Sequence, residues 1–492
     1  MTRSLILTIA LVAISINPAH QTNPGLQLQI SQAGFNYVAQ VAIDQITADI
    51  KGKHIDDQSG SARVTIGKVD YSLTGMTVTE FGRPQSAVTV TPGSSLTWSL
   101  SAVSATIHGD WRYKYRKAFI KISDHGSFDV SVSGASLSVS VTMGVDGNGR
   151  PTIRTTACSS NGGSVKVKFH RGASWLYNLF SHEVEKPLKK KIQEMLCTAS
   201  EKAINEMGEA QLAKMKVQTA IKNLGTLDYR LVAAPVFGSQ FVATHHKGEF
   251  FWTGNTTEAP FPPLPMPAPP VASRMISIGL SQYVMDTLGY VTHTHGLLKK
   301  HLTAKDLPPD AAGVLNVTCT SGLCIGSVLP QLKKLYPHGV LEMAMASTAY
   351  PRLVITPKTI QGVFVAQIGF SVRLPSGELK FVFRADVGAN MTLTAAMQGT
   401  RITASVPSWT TTAEVKDSQI GPVSGWTLDL VLNEAFNRFI KPQLDALGKK
   451  GLDVPSIDDI DYVNPSLTLM AGALYLETNV KYTPQTTLFF QG

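Results

Sequence analysis

The ten residues His108-Gly-Asp-Trp-Arg-Tyr-Lys-Tyr-Arg-Lys117 carry the most pointed chemistry in this 492-residue chain. Four cations, Arg112, Lys114, Arg116 and Lys117, are interleaved with three aromatic rings, and only Asp110 opposes them. If the run is a strand at a hairpin tip, Trp111, Tyr113 and Tyr115 face one way and Arg112, Lys114 and Arg116 the other. The basic face suits phosphates, which a guanidinium can bond bidentately. The aromatic face suits the boundary between a lipid headgroup and its acyl chains, where amphipathic rings settle. Lys51 and Lys53, in IKGKH, are candidates for the same end of the molecule. The plain alternative is a solvated strand. A formal net charge of +9 favours an acidic partner, either anionic lipid or another polyanion.

Catalytic signatures are missing. The sequence has no GxSxG elbow, no HExxH and no phosphate-cradling glycine loop. His293-Thr-His295 and His245-His246 have no third ligand at metal spacing, so no metal and no cofactor is expected. Basic residues alternating with aromatics also suit nucleic acid, but no nucleic-acid-binding module is present, and no nucleic acid is expected as a partner. The chain reads as a binding protein rather than an enzyme.

The elements that must position the basic run are long strands. Leu96, Trp98, Leu100 and Ala102 alternate with Ser and Thr, and so do Phe128, Val130 and Val132. After Gly134-Ala135 the parity changes to Leu137, Val139, Val141 and Met143, which calls for a bulge or tight turn there. Such strands are antiparallel, apolar on one face, and need covering on that face. Three helical stripes supply the cover. Ser31 can cap the first, which presents Phe35, Val38, Val41, Ala42 and Ile46. The second runs Leu176, Leu179, Phe180, Val184, Leu188, Ile192 and Met195, with Pro187 inside it. The third runs Leu428, Leu432, Phe436, Phe439, Ile440, Leu444 and Leu447. Periodicity alone does not distinguish a filled core from a hollow one, and the filled core is the simpler reading.

The order strand, helix, strands, helix recurs on either side of Ala259–Pro270, where seven of twelve residues are proline. Proline fixes φ and lacks an N–H, so this stretch reads as a semi-rigid polyproline II spacer between two copies of one domain. A docking peptide for a partner is the lesser alternative. Arg3, the apolar run Leu5–Ile14 and Asn-Pro-Ala form a secretory signal peptide ending near Ala19 to Gln21. A secreted chain lets its four cysteines pair. Cys158 with Cys197 would close a loop of about 40 residues, worth roughly 4 kcal/mol, and Cys319 with Cys324 a tight turn worth roughly 2. Asn255, Asn316 and Asn390 stand in glycosylation sequons.

NPGLQLQISQAGFNYVAQ, IHGDWRYKYRKAFIK with GSFDVSVSGASLSVSVTMG, and the Cys158 to Cys197 spacing resemble the bactericidal/permeability-increasing and lipopolysaccharide-binding protein family. That group includes the plasma phospholipid and cholesteryl ester transfer proteins. The resemblance runs along almost all of the mature chain and is more specific in the first half. It implies an α+β boomerang of two elongated barrels, each a twisted antiparallel sheet wrapped around long helices, with a shared central sheet. The divisions would be residues 1–20 as signal peptide, 21–248 as the first barrel, 249–272 as linker and part of the central sheet, and 273–492 as the second barrel. It further implies lipopolysaccharide binding at Arg112, Lys114, Arg116 and Lys117 with Trp111 beside them, and Lys51 and Lys53 near the first helix. An apolar pocket holding a phospholipid is implied in each barrel. On the stripes above these pockets fall to Phe35, Val38, Val41, Leu176, Phe180, Val184 and Leu188, and to Phe436, Phe439 and Ile440. The expected role is that of a secreted, monomeric innate-immune protein at the bacterial outer membrane, with membrane permeabilisation as a further expectation. An extracellular lipid-transfer protein without antibacterial action is the alternative. This chain departs from the pattern in three places. IKGKHIDDQ carries fewer cations than strongly bactericidal members, Cys319 and Cys324 are an extra pair, and TPQTTLFFQG lacks the amphipathic helix of the neutral-lipid branch.

Overall fold

The structure is a computed structural model that describes residues 23–483, apart from 65–66, 118–119, 172–173, 222–223, 256, 271–273, 308–310, 320–323 and 454–459. The expected signal peptide lies outside the described residues. The fold is α+β, with several antiparallel sheets and few helices. In chain order the elements that matter are β1 (Leu26–Ser31), α1 (Gln32–Ile50), β2 (Gln58–Val64), β3 (Gly67–Gly82), β4 (Ser95–Lys117), β5 (Ile120–Val145), β6 (Pro151–Asn161), β7 (Ser164–His170) and α2 (Ser174–Lys202). They are followed by β8 (Phe241–His246), β9 (Ile276–Ser281), α3 (Gln282–Thr294), β10 (Ile360–Arg373), β11 (Leu379–Gln398), β12 (Arg401–Lys416), α4 (Gly425–Ala435), α5 (Lys441–Lys450), β13 (Ile460–Met470) and β14 (Ala473–Tyr482).

Alternation builds the first sheet. β4 and β5 pair from Leu96↔Val141 to Lys117↔Ile120, one long ribbon. Phe128, Val130 and Val132 are buried before Gly134, and Ala135, Leu137, Val139 and Val141 after it. The parity change is absorbed as a bulge, with Gly134 at φ 68° and Ala102 on the facing strand at φ 55°. Ser31 caps α1 as the sequence suggests, its side chain accepting from the Gly34 N–H at 3.3 Å.

The sheets are open, where the resemblance implied barrels. The strand orders run from edge to edge without closing. In the first half the edge is satisfied by α2 and by the helical turns Ala203–Gly208 and Glu209–Ala213 that follow it, instead of another strand. The Val167 N–H donates to Glu185 at 3.0 Å, Thr155 to Asn205 at 2.8 Å and Ile153 to Glu209 at 2.7 Å. Carboxylate and amide side chains thereby supply the acceptors that an unpaired edge would otherwise lack. In the second half the Val406 N–H donates likewise to Asp445 of α5 at 3.3 Å.

A six-stranded central sheet joins the halves. β1 lies between β8 and β9, and β14 and β13 follow. Leu28 faces Ile278, with Leu26↔Leu280 and Ile30↔Ile276 on either side, so the opening strands of the two halves pair antiparallel. The proline run is pinned to this sheet as well as spanning it. Tyr475 Oη donates to the Pro267 carbonyl and Asn23 Nδ2 to that of Pro263 at 3.0 Å. Phe261 stacks on Tyr350 at 5.1 Å and meets Tyr283 and Tyr290 edge-on.

Candidate functional site

Arg112, Lys114 and Arg116 project from the outer face of β4 into solvent, close to its hairpin turn with β5. Lys117 ends the same strand, and its side chain lies outside the described residues. Trp111, Tyr113 and Tyr115 take the opposite face, as period two requires, but that face is the core. Trp111 is 3 % exposed and Tyr113 2 %, their rings stacked at 5.5 Å, and Trp111 Nε1 donates to the Ser127 carbonyl at 2.9 Å. Trp111 is therefore not beside the cations at a lipid boundary. Large apolar rings gain more from packing against Phe169 and the buried sheet than from water. Among the described residues, the large apolar groups that reach solvent at this end are Ile120, 57 % exposed, and Ile122, 43 % exposed.

The register adds cations that the linear run did not show. Arg63 pairs with Lys68, Lys68 with Arg116, and Arg116 with Lys121, so one rung across β2, β3, β4 and β5 carries four positive side chains on the same face. All four are exposed. Two residues further from the turn the rung reads Ser61, Asp70, Lys114 and Ser123, and the next Ser59, Ser72, Arg112 and His125. Asp70 is the one acid in these three rungs. It accepts from Ser61 and holds Lys68 at 3.1 Å, and these hydrogen bonds keep its carboxyl below the ordinary aspartate range. Deeper on the same face Asp129 bridges His108 and His170, each at 2.7 Å, which lowers its pKa in the same way. Lys51 and Lys53 do not join this cluster. Gly52 and Lys53 hydrogen-bond to Val78 of β3, six residues from Ser72, the partner of Arg112, or about 20 Å along the strand.

The second half contains a cavity of about 400 Å³ with an almost wholly apolar wall. Leu341, Phe370, Val387, Leu428, Val431 and Phe436 line it, and Lys300 lies at its margin. Phe436 is stacked on Trp409 at 3.9 Å. The helix is wider here, a π-turn from Phe436 to Ile440, immediately before Pro442, whose missing N–H breaks the normal α ladder. Of the three expected residues, Phe436 and Ile440 line the cavity, and the side chain of Phe439 lies outside the described residues.

In the first half the expected pocket residues behave differently. Val184 is buried and Leu188 packs beside it, in the core that contains Phe128 and Val130. Phe35 packs with Val90, Phe237 and Val242, and Val41 is half-buried. Val38 is 59 % exposed, so it does not line an interior; Ala39 and Ile43 take that face of α1. The side chains of Leu176 and Phe180 lie outside the described residues.

Both cysteine pairs are disulfides. Cys158–Cys197 ties β6 to α2, and Cys319–Cys324 precedes a short helix whose Ile325 lines the cavity. Asn255 and Asn390 are exposed, whereas Asn316 is half-buried and bridged to Val340. The histidine pairs have structural partners. His293 hydrogen-bonds Ser347 at 2.7 Å, His295 stacks on Trp252 at 4.3 Å, and His246 hydrogen-bonds the Tyr229 carbonyl at 2.8 Å. Among the described residues no group of three or more His, Cys, Asp or Glu could hold a metal ion. No described helix is long and apolar enough to cross a membrane.

Profiles of the LBP / BPI / CETP family match this chain twice, the N-terminal domain over residues 34–207 and the C-terminal domain over residues 219–482. The chain belongs to the LBP/BPI/CETP family. It is 27 % identical to the bactericidal permeability-increasing protein of Sebastes schlegelii over 476 residues, which cover 96 % of this chain and 98 % of that one. It is 28 % identical to the lipopolysaccharide-binding protein of Homo sapiens over 477 residues, covering 97 % of each. The crystal structure of lipopolysaccharide binding protein superposes with a TM-score of 0.60 at 25 % identity, covering 94 % of this chain and 99 % of that chain. Family membership thus rests on nearly the whole length of the sequence and on the fold.

Proposed function

We propose that this LBP/BPI/CETP-family protein is a secreted innate-immune lipid-binding protein that takes up lipopolysaccharide through the outer face of the β4–β5 hairpin. The observation that carries the reading is the exposed cationic face of Arg112, Lys114 and Arg116, with Ile120 and Ile122 exposed at the same end. The cations engage the phosphorylated head of the glycolipid, which gives a fast and salt-sensitive encounter. Apolar groups then withdraw acyl carbons from water at about 0.8 kcal/mol per methylene. Relatives named bactericidal permeability-increasing protein and lipopolysaccharide-binding protein support the same ligand. Lys117 belongs to this surface, and Lys51 and Lys53 add long-range charge only. Bacterial outer membrane is the partner surface, the protein acts as a monomer, and its role is binding rather than catalysis. The signal peptide at residues 1–20 and sugar at Asn255 and Asn390 fit an extracellular life.

A second reading is favoured by the cavity under α4: an extracellular phospholipid carrier without antibacterial action, its acyl chains beside Phe436 and Ile440. The two readings separate in one pair of assays. The triple variant Arg112→Gln/Lys114→Gln/Arg116→Gln should lose most binding to lipopolysaccharide-bearing vesicles at low salt while keeping extractable phospholipid. Unchanged affinity in that variant would remove the hairpin face from the mechanism and leave the carrier reading.

A further inference from the structure

We infer that the four-cation rung nearest the hairpin turn discriminates between glycolipid heads bearing two separated phosphates and heads bearing one. The inference rests on the glycolipid reading above and adds residues that reading does not use: Arg63, Lys68 and Lys121.

The rung is a feature of register. Arg63, Lys68, Arg116 and Lys121 come from four neighbouring strands and occupy mutually opposite positions. Opposite positions share a face, so the four side chains stand in one row across the sheet. Three strand spacings of ~4.8 Å separate the outermost pair by roughly 14 Å. The row therefore differs in kind from Arg112, Lys114 and Arg116, which succeed one another along a single strand. Its inner and outer members are also in different electrostatic situations. Lys68 holds Asp70 at 3.1 Å and Arg116 also acts on that carboxylate through space, whereas no ion pair among the described residues engages Arg63 or Lys121. Asp70 offsets charge near the middle of the row and leaves the two ends, Arg63 and Lys121, as the strongest anion-attracting points.

A rigid row with cations at both ends favours a ligand whose two anions sit at the ends of a rigid spacer. A phosphorylated disaccharide, with one phosphate on each sugar, has that form. A head with a single phosphate can satisfy one end only, and its remaining hydroxyls leave the other cation to water. Neighbouring strands fix the backbone spacing, so Arg63 and Lys121 meet on one phosphate only if both side chains bend inward, whereas two separated phosphates let each extend from its own strand. Discrimination then comes from the geometry of two simultaneous charge-assisted contacts rather than from total charge.

The test uses the full-length protein and phosphatidylcholine vesicles doped with acylated glucosamine disaccharide carrying two phosphates or one, at matched total phosphate. Phosphatidylglycerol vesicles at the same phosphate content report charge alone, and inorganic phosphate as competitor reports a free-anion site. The wild type should prefer the bisphosphorylated glycolipid by about tenfold, the factor a single good charge-assisted contact provides. Arg63→Gln/Lys121→Gln should bring that ratio close to one, and Arg63→Lys/Lys121→Arg should restore it. Arg116→Gln should weaken both glycolipids in proportion. Circular dichroism and the melting temperature show that each variant is folded; all the substituted positions are exposed. A ratio unchanged in Arg63→Gln/Lys121→Gln, with binding retained, overturns the inference and leaves the glycolipid reading standing. Equal wild-type binding to all three vesicles, or displacement by inorganic phosphate alone, overturns it in favour of unspecific charge. Failure of the wild type to bind either glycolipid sinks the reading beneath it as well.

Discussion

Glu342 shows how a single charge in this fold is held. It lies on the strand Val340–Ser347, and its side chain is 7 % exposed. Arg373 donates to it from both Nε and Nη2, the latter at 2.9 Å, and His301 lies 3.0 Å away on the other side. The Arg373 hydrogen bonds pull its carboxyl below the ordinary glutamate value of 4.5. A carboxyl with a depressed folded pKa stabilises the protein above the unfolded value, and that stability drains away as pH falls through the folded one. Glu342→Gln should therefore cost about 1–3 kcal/mol at pH 7, and the gap to wild type should narrow below pH ~4.5. Urea unfolding at both pH values measures it; a gap that widens on acidification would be the wrong sign. The cationic face was legible to a similar depth. Period two correctly separates Arg112, Lys114 and Arg116 from Trp111, Tyr113 and Tyr115. It cannot say which set is inside, because alternation is symmetrical between faces. Arg63, Lys68 and Lys121 were illegible for a different reason: they meet Arg116 only through pairing, a non-local fact.

The stripe of α4 and α5 was readable as an inward-facing surface over most of its length: Leu428, Leu432 and Phe436 line one wall of the cavity, whereas Leu447, 66 % exposed, faces away from it. Its hollowness was not readable. Spacing along a helix reports direction, whereas a void depends on how far the facing strands stand off, set here by β10, β11 and β12. The same pattern in α2 gives a packed core around Val184. Filling the void is the direct test. Val431→Trp should displace acyl chains from the second half, cutting co-purified phospholipid to well under half of wild type by native mass spectrometry. The strain should cost no more than about 1–3 kcal/mol, the usual penalty of overpacking. Undiminished lipid would locate the bound chains elsewhere. The open seams were equally hidden: nothing in the spacing of Glu185, Asn205 and Glu209 announces that they serve edge amides of β6 and β7.

Seven prolines in twelve residues announced a break in regular structure, and the run between the halves is indeed irregular. Its attachment was not announced. Phe261 is the anchor, enclosed by Tyr283, Tyr290 and Tyr350, because proline's fixed backbone presents the one aromatic side chain toward them. Phe261→Ala should cost about 2–4 kcal/mol and open residues 259–270 to limited proteolysis. A variant that melts and resists cleavage like wild type would make the run a passive spacer. The central sheet makes a stronger demand. Leu26, Leu28 and Ile30 are flanked by strands from both sides of the linker, β8 before it and β9 after it. A fragment severed before β9 would keep its first half yet bare one full ladder of β1, in which Leu26, Leu28 and Ile30 alternate with glutamine. Such fragments should stack on one another through that margin, and keeping them dispersed will require a lysine or proline grafted into β1.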